Sequence, residues 1–196
     1  YAGSPTISDN EYDQLEEELR RIAPDHPVLT LIGSDHSSSE AEKVSHKSPM
    51  LSLEKTYSPE DLLSWTAERE VVGTGKIDGV SLSLLYENGT LELAKTRGNG
   101  QMGEDVTQKI KWVSSCVARV PEKQDRSTTK NMEVRGELYC TSKKFTQLTQ
   151  EMSKLKLPLP TSSRNIVAGI LARKQHTELA RFFDFAAFDI IFQPYF

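Results

Sequence analysis

Val80-Ser81-Leu82-Ser83-Leu84-Leu85-Tyr86-Glu87-Asn88-Gly89-Thr90-Leu91-Glu92-Leu93 decides the fold class. Apolar side chains alternate at 80, 82, 84 and 86, Asn88-Gly89 interrupts, and alternation resumes at Leu91 and Leu93. Two alternating runs joined by Asn-Gly are the strongest short-range signal for a β-hairpin, because both turn residues accept positive φ. The sheet around this stretch is therefore antiparallel. Downstream, Met132 to Cys140 alternates as a further strand, and Phe182 to Phe192 reads as a dense apolar and aromatic one. Val106, Ile110 and Val113 suggest a short helix after Glu104-Asp105. Residues 142–154 and 163–175 read as helices separated by Leu157-Pro158-Leu159-Pro160, and residues 121–131 as a polar surface loop.

Upstream, the texture is helical. Ser8-Asp9-Asn10-Glu11 spells a capping box, Tyr12, Leu15, Leu19 and Ile22 recur at helical spacing, and Pro24 ends the run. Residues 33–48 look like a polar loop. Ser58-Pro59-Glu60-Asp61 opens a second helix, with Leu62, Leu63 and Trp65 expected on its core side. Helices followed by antiparallel strands with interspersed helices make an α+β domain.

With 196 residues, 37% apolar and 27% charged, the chain suffices for one domain or one domain plus a small appendage. No stretch approaches the roughly 18 consecutive apolar residues of a membrane span. No secretory leader pattern opens it, and a start at Tyr1 suggests a trimmed fragment. Cys116 and Cys140 cannot make a disulfide framework or a four-thiolate zinc site, so they read as buried thiols in a reducing, intracellular protein. The four histidines (His26, His36, His46, His176) show no metal-ligand spacing and read as unremarkable.

The net charge of −4 argues weakly against nucleic acid, but it hides an asymmetry. Residues 1–75 hold 15 acidic and 6 basic side chains; residues 76–196 hold 13 and 18. Residues 142–181 alone carry 8 basic and 2 acidic groups. That segment is either a solvated helix surface or a site for a phosphate backbone.

Three motifs could carry chemistry. Gly98-Asn99-Gly100-Gln101-Met102-Gly103 spells G-x-G-x-x-G, but the dinucleotide fingerprint needs a parallel βαβ unit and the preceding strand belongs to a hairpin. A glycine-rich bend is the better reading. Lys76-Ile77-Asp78-Gly79 is K-x-D-G: either a turn with a surface lysine, or a nucleophilic amine, which would need burial or cationic neighbours to deprotonate. Glu133-Val134-Arg135-Gly136-Glu137 puts Glu133, Arg135 and Glu137 on one strand face. That face is either a surface with cross-strand ion pairs or a carboxylate and guanidinium presented into a nucleotide cleft.

Taken in order, these motifs resemble the adenylation region of NAD⁺-dependent DNA ligases. The resemblance runs through Pro5-Thr6-Ile7-Ser8-Asp9-x-Glu11-Tyr12-Asp13-x-Leu15, Pro49-Met50-Leu51-Ser52-Leu53-Glu54 and Lys76-Ile77-Asp78-Gly79. It continues in Tyr86-Glu87-Asn88-Gly89, Thr96-Arg97-Gly98-Asn99-Gly100-x-x-Gly103-Glu104-Asp105-Val106-Thr107, Glu133 to Glu137, and Ser163-Arg164-Asn165-x-x-Ala168-Gly169. It implies a nucleotidyltransferase fold over 49–196, incomplete at its C-terminal end, preceded by a helical module over 1–48 that takes the nicotinamide mononucleotide (NMN) half of NAD⁺. It implies that Lys76 attacks the AMP phosphorus, with Mg²⁺ offsetting phosphoryl charge, and that the AMP then activates a nick in duplex DNA. Asp9, Tyr12 and Asp13 would hold the nicotinamide half, which suits the acidic front. Ser52 and Leu53 would contact adenosine, Asp78 and Gly79 would shape the turn presenting Lys76, Arg97 would neutralise phosphate, and Glu137 would bind a ribose hydroxyl. Arg164, and less directly Arg173, would contact DNA. A monomeric bacterial-type cytoplasmic enzyme is implied, with no zinc site in this stretch and no nick sealing by this stretch alone.

Three positions depart from the family pattern: Thr74 and Asn99 stand where it carries acids, and Ala172 where it carries a second DNA-contacting arginine. Glu70 or another group could take over the adenine contact that Thr74 lacks. The competing readings are an ATP- or GTP-using ligase or capping-type nucleotidyltransferase, and a non-catalytic nucleotide- or DNA-binding remnant.

Overall fold

The computed structural model describes residues 7, 9–24, 26–30, 42–51, 55–67, 69–120 and 131–192, with only the backbone of Asp9, Asn10, Tyr12, Asp13 and Thr30. The proposed cap at Ser8 and the pair Ser52-Leu53 lie outside the described residues.

The hairpin forms as expected. Strand β2 (Val80–Glu87) turns through Asn88 (φ 49°) and Gly89 (φ 76°) into β3 (Thr90–Thr96). Both positive φ angles match the primed turn whose twist suits paired strands. β5 (Asn131–Tyr139) pairs with the other edge of β2, and β6 (Asp184–Phe192) with the far edge of β5. The result is a four-stranded antiparallel sheet of order β3-β2-β5-β6. A second, two-stranded sheet joins β1 (Lys43–Ser45) to β4 (Met102–Glu104). The sequence missed both: β1 sits at the end of what read as a polar loop, and β4 inside the glycine-rich motif.

The two faces of the large sheet differ in chemistry. Leu82, Leu84, Tyr86, Ala94, Met132 and Leu138 form the apolar face and are buried. Against this core lie α3 (Thr107–Ile110), α4 (Ser142–Lys154) and α5 (Ser163–Ala172), through Ile110, Leu148, Met152, Ile166, Val167 and Ile170. Each such fully buried aliphatic side chain contributes about 1.5–3 kcal/mol. Thr141 and Ser162 cap α4 and α5 by accepting from the amides of Lys144 and Asn165. Helix α5 stops at Ala172, three residues earlier than its apolar pattern suggested, and the Lys109 ammonium donates to the carbonyl of Leu171 near its end. A 3-10 turn, Thr177–Phe182, takes the front of the last expected strand.

Helix α1 (Asp9–Ile22) carries the N-terminal acids, and α2 (Pro59–Thr66) begins at its predicted cap, Ser58. The expected core side of α2 is a correction. Leu62, Leu63 and Trp65 are exposed, and no described residue of the helix is buried. Local spacing reported apolar residues without saying that anything covers them. Cys116 and Cys140 are buried thiols, and burial pushes them up to about 12 and about 11, so neither is a nucleophile near neutral pH. Among the described residues no helix is long and apolar enough to cross a membrane.

Gly103 lies where β4 crosses the end of β3. An added Cβ there would sit 1.8 Å from the Thr96 carbonyl oxygen, which is backbone and cannot rotate away. Gly103→Ala should lower stability in urea unfolding by about 1–3 kcal/mol, the scale of forced overpacking.

Candidate active site

The opposite face of the sheet is polar and largely buried. Ser81, Ser83, Lys95, Glu133, Arg135 and Glu137 share it, because pairing sets Ser83 opposite both Lys95 and Arg135, and Ser81 opposite Glu137. Two clusters divide this face.

The first lies at the K-x-D-G end. The Glu137 carboxylate accepts from the Gly79 amide (3.1 Å) and the Ser81 hydroxyl (2.6 Å). The Arg97 amide donates to the Ser81 carbonyl at 2.9 Å. Asp78 lies 3.4 Å from Arg164 at the start of α5, an exposed ion pair of at most about 1 kcal/mol. Asp78, Gly79, Glu137 and Arg164 thus meet at this end of the face, with the Arg97 backbone beside Ser81. Gly79 has no alternative, since a Cβ would meet the Leu138 carbonyl oxygen at 2.0 Å. A Gly79→Ala exchange should therefore displace the lysine-bearing turn.

Lys76 lies within an exposed stretch, residues 71–78, just before this turn. The burial that a nucleophilic amine was expected to need is not provided by the described residues. Arg173 closes the far end of α5, some 13 Å along its axis from Arg164, and none of its described contacts reaches the cleft.

The bend after Arg97 is built by Asn99, whose side-chain oxygen accepts from the amides of Gln101 (3.1 Å) and Met102 (2.8 Å). Gly98 (φ 55°) and Gly100 (φ 87°) supply the left-handed turns. An aspartate would accept the same two bonds with a charge added, so Asn99 keeps the geometry of the bend.

The second cluster is one that sequence reasoning missed. Glu133 accepts from Ser83 (2.8 Å) and from the Arg135 guanidinium (2.8 Å). Arg135 also donates to the carbonyls of Pro49 (3.0 Å) and Ser48 (2.7 Å), and Lys95 to that of Ser45 (2.8 Å). Of the three motif residues on this face, only Glu137 reaches the first cluster; Glu133 and Arg135 are buried against the incoming chain. Lys95 follows Leu93 in the inward alternation of β3, a position where a lysine is rare. That was the available signal.

His46, read as unremarkable, is buried. Its Nε2 lies 3.1 Å from the Thr96 carbonyl, and its Nδ1 has no partner among the described residues. Burial, then the Lys95 charge, hold its pKa below the ordinary 6.5. The folded protein therefore resists protonating it, while the unfolded chain takes the proton at 6.5. Stability should be level above pH 6.5 and fall as pH drops below it. Urea unfolding across pH, with His46→Gln flattening that slope, checks this.

Among the described residues no three His, Cys, Asp or Glu side chains are placed to hold a metal ion. The described set instead suits a phosphate-bearing ligand: the cations Lys76, Arg97 and Arg164, with a carboxylate that keeps unused lone pairs.

Comparison with known proteins agrees. Residues 38–192 match the family described as NAD-dependent DNA ligase adenylation domain. The DNA ligase of Corynebacterium urealyticum is 34% identical over 192 residues, 92% of this chain and 27% of that protein. Those of Mycoplasma genitalium and Methylacidiphilum infernorum are 36% and 37% identical, over 85% of this chain and 26% of each protein. The chain thus spans about a quarter of the length of these relatives. With most of its length matched by one family, the chain belongs to the NAD-dependent DNA ligase adenylation domain family.

Proposed function

We propose that this chain is the self-adenylating part of an NAD⁺-dependent DNA ligase with a nucleotidyltransferase fold, and that Lys76 is its nucleophile. The observation that carries the reading is the tie of Gly79 and Ser81 to Glu137 beside Arg97 and Arg164, three residues from an exposed lysine. AMP would lie on the polar sheet face with its ribose hydroxyl donating to Glu137 and its phosphate between Lys76 and Arg97. The Lys76 amine would attack that phosphorus as NMN leaves, forming a phosphoramidate. Bound nucleotide would supply the desolvation that the exposed lysine lacks.

Asp9, Tyr12 and Asp13, on the first two turns of α1, would take the nicotinamide half, and Ser52 and Leu53 the adenosine side. Residues 1–48 would form the NMN module and 49–196 most of the transferase domain. Mg²⁺, when bound, supplies charge neutralisation on the phosphoryl oxygens. In the whole enzyme, a monomer acting in the bacterial cytoplasm, Lys76 would pass AMP to the 5′-phosphate of nicked DNA. Arg164 would contact the backbone, with Arg173 a weaker candidate.

Separate incubations with adenine-labelled NAD⁺ and labelled ATP test the reading. Acid-labile label from NAD⁺ alone is expected. Label from ATP alone would assign the chain to the ATP-using class, and no label from either, in this chain and in the full-length protein, would leave a non-catalytic remnant.

A further inference from the structure

The described hydrogen bonds from the second cluster to a neighbouring segment end on main-chain oxygens. Residues 42–50 run past the polar face as a strap. Lys95 holds the carbonyl of Ser45, and Arg135 holds those of Ser48 and Pro49. Glu133 pairs with Arg135, favours the charged form of Lys95 through its own negative charge, is itself fixed by Ser83, and like Lys95 is 1% exposed. On its other edge the strap bonds to the bend that follows Arg97. The His46 amide donates to the Gln101 carbonyl (2.7 Å), the Met50 amide to the Gly100 carbonyl (2.8 Å), and the His46 ring meets the carbonyl of Thr96. The strap therefore joins the sheet to the Arg97 bend, and in sequence it leads within two residues into Ser52-Leu53.

We infer that Lys95 is a positioning residue for nucleotide binding: with Glu133 and Arg135 it locks the 42–50 strap against the sheet, and the strap fixes the bend that carries Arg97. Lys95 does not touch the nucleotide in this scheme. It acts through the Ser45 carbonyl. A buried ammonium on a main-chain oxygen suits this, because removing the donor leaves a dehydrated carbonyl and a carboxylate with one cation fewer. Misplacing a phosphate-binding group by about 1 Å can reduce rates by on the order of a hundredfold. The inference rests on the adenylation reading above.

The test uses the full-length protein carrying this chain, with Lys95→Met, which keeps the length and removes the charge, and Ser83→Ala, a milder release of Glu133. Two readouts are taken. The first is hydrogen exchange at the His46 and Met50 amides without NAD⁺, relative to amides of β2 and β5. The second is KM and kcat for AMP transfer from NAD⁺ to the protein.

Lys95→Met is expected to speed exchange at both strap amides at least tenfold, with β2 and β5 little changed, and to raise KM for NAD⁺ about tenfold. Ser83→Ala should move both in the same direction, about threefold. A smaller folded fraction lowers apparent kcat but leaves KM alone, so a purely structural role predicts no KM shift. Unchanged KM and unchanged strap exchange in a folded Lys95→Met protein would overturn the inference. If that variant does not fold, wild-type values for Ser83→Ala would overturn it. Absence of AMP transfer in the wild type would overturn the adenylation reading instead, and strap exchange alone would then decide whether the lock exists.

Discussion

Lys76→Ala and Lys76→Arg proteins should carry no acid-labile AMP after incubation with NAD⁺ and magnesium, under conditions that saturate the wild type. Deleting a covalent nucleophile typically lowers rates by on the order of 10⁶-fold, so residual label should be undetectable. Arginine keeps the charge and length but has no lone pair to offer the phosphorus, which separates nucleophilic attack from phosphate binding. Both variants should melt at the wild-type temperature, because Lys76 is exposed and its described surroundings give it no packing role. Intact-mass measurement of the protein reads the adduct directly. Persistent adduct in both variants would move the nucleophile elsewhere.

The second large effect is on stability. Glu133→Ala leaves the Arg135 guanidinium buried without its paired carboxylate, removes a negative charge that favours the Lys95 ammonium, and leaves the Ser83 hydroxyl without its acceptor. Breaking a buried pair by removing one partner is destabilising by about 3–5 kcal/mol. For a chain of this size that lowers Tm by on the order of 10 °C. The exposed Asp78–Arg164 pair is a matched contrast. Asp78→Ala removes an ion pair of similar chemistry at a hydrated surface, so its Tm should stay within about 2 °C of the wild type. Thermal unfolding of the two variants side by side checks both figures. A Glu133→Ala protein as stable as the wild type would mean that water reaches the cluster.

The hairpin, the last two strands of the large sheet and the helices after Thr141 were legible in the sequence, because each carries its own period and its own punctuation. Asn88-Gly89, Thr141 and Ser162 act locally, and local rules found the first and bounded the helices that follow the others. Motif order singled out Asp78, Gly79, Arg97, Glu137 and Arg164, whose backbone or side chains lie at one end of the polar face. Spacing alone left Glu133, Arg135 and Glu137 undecided between surface and cleft.

What stayed hidden depends on pairing between distant segments. Lys43–Ser45 becomes a strand only because Met102–Glu104 passes beside it, nearly sixty residues away. His46 and Lys95 look like ordinary polar residues until that pairing buries them. For α2 the error ran the other way: apolar spacing suggested a core side where Leu62, Leu63 and Trp65 are exposed.

The grip of Lys95 and Arg135 on carbonyl oxygens has an evolutionary corollary. A carbonyl is the same whatever side chain its residue bears, so the lock does not read the identities of Ser45 and Ser48. Exposed strap positions such as Ser48 are free to drift by neutral substitution. The three charged residues beneath are not independent in that way. Losing one strands the others, so lineages should exchange Lys95, Glu133 and Arg135 as a set, through intermediates that carry a compensating change.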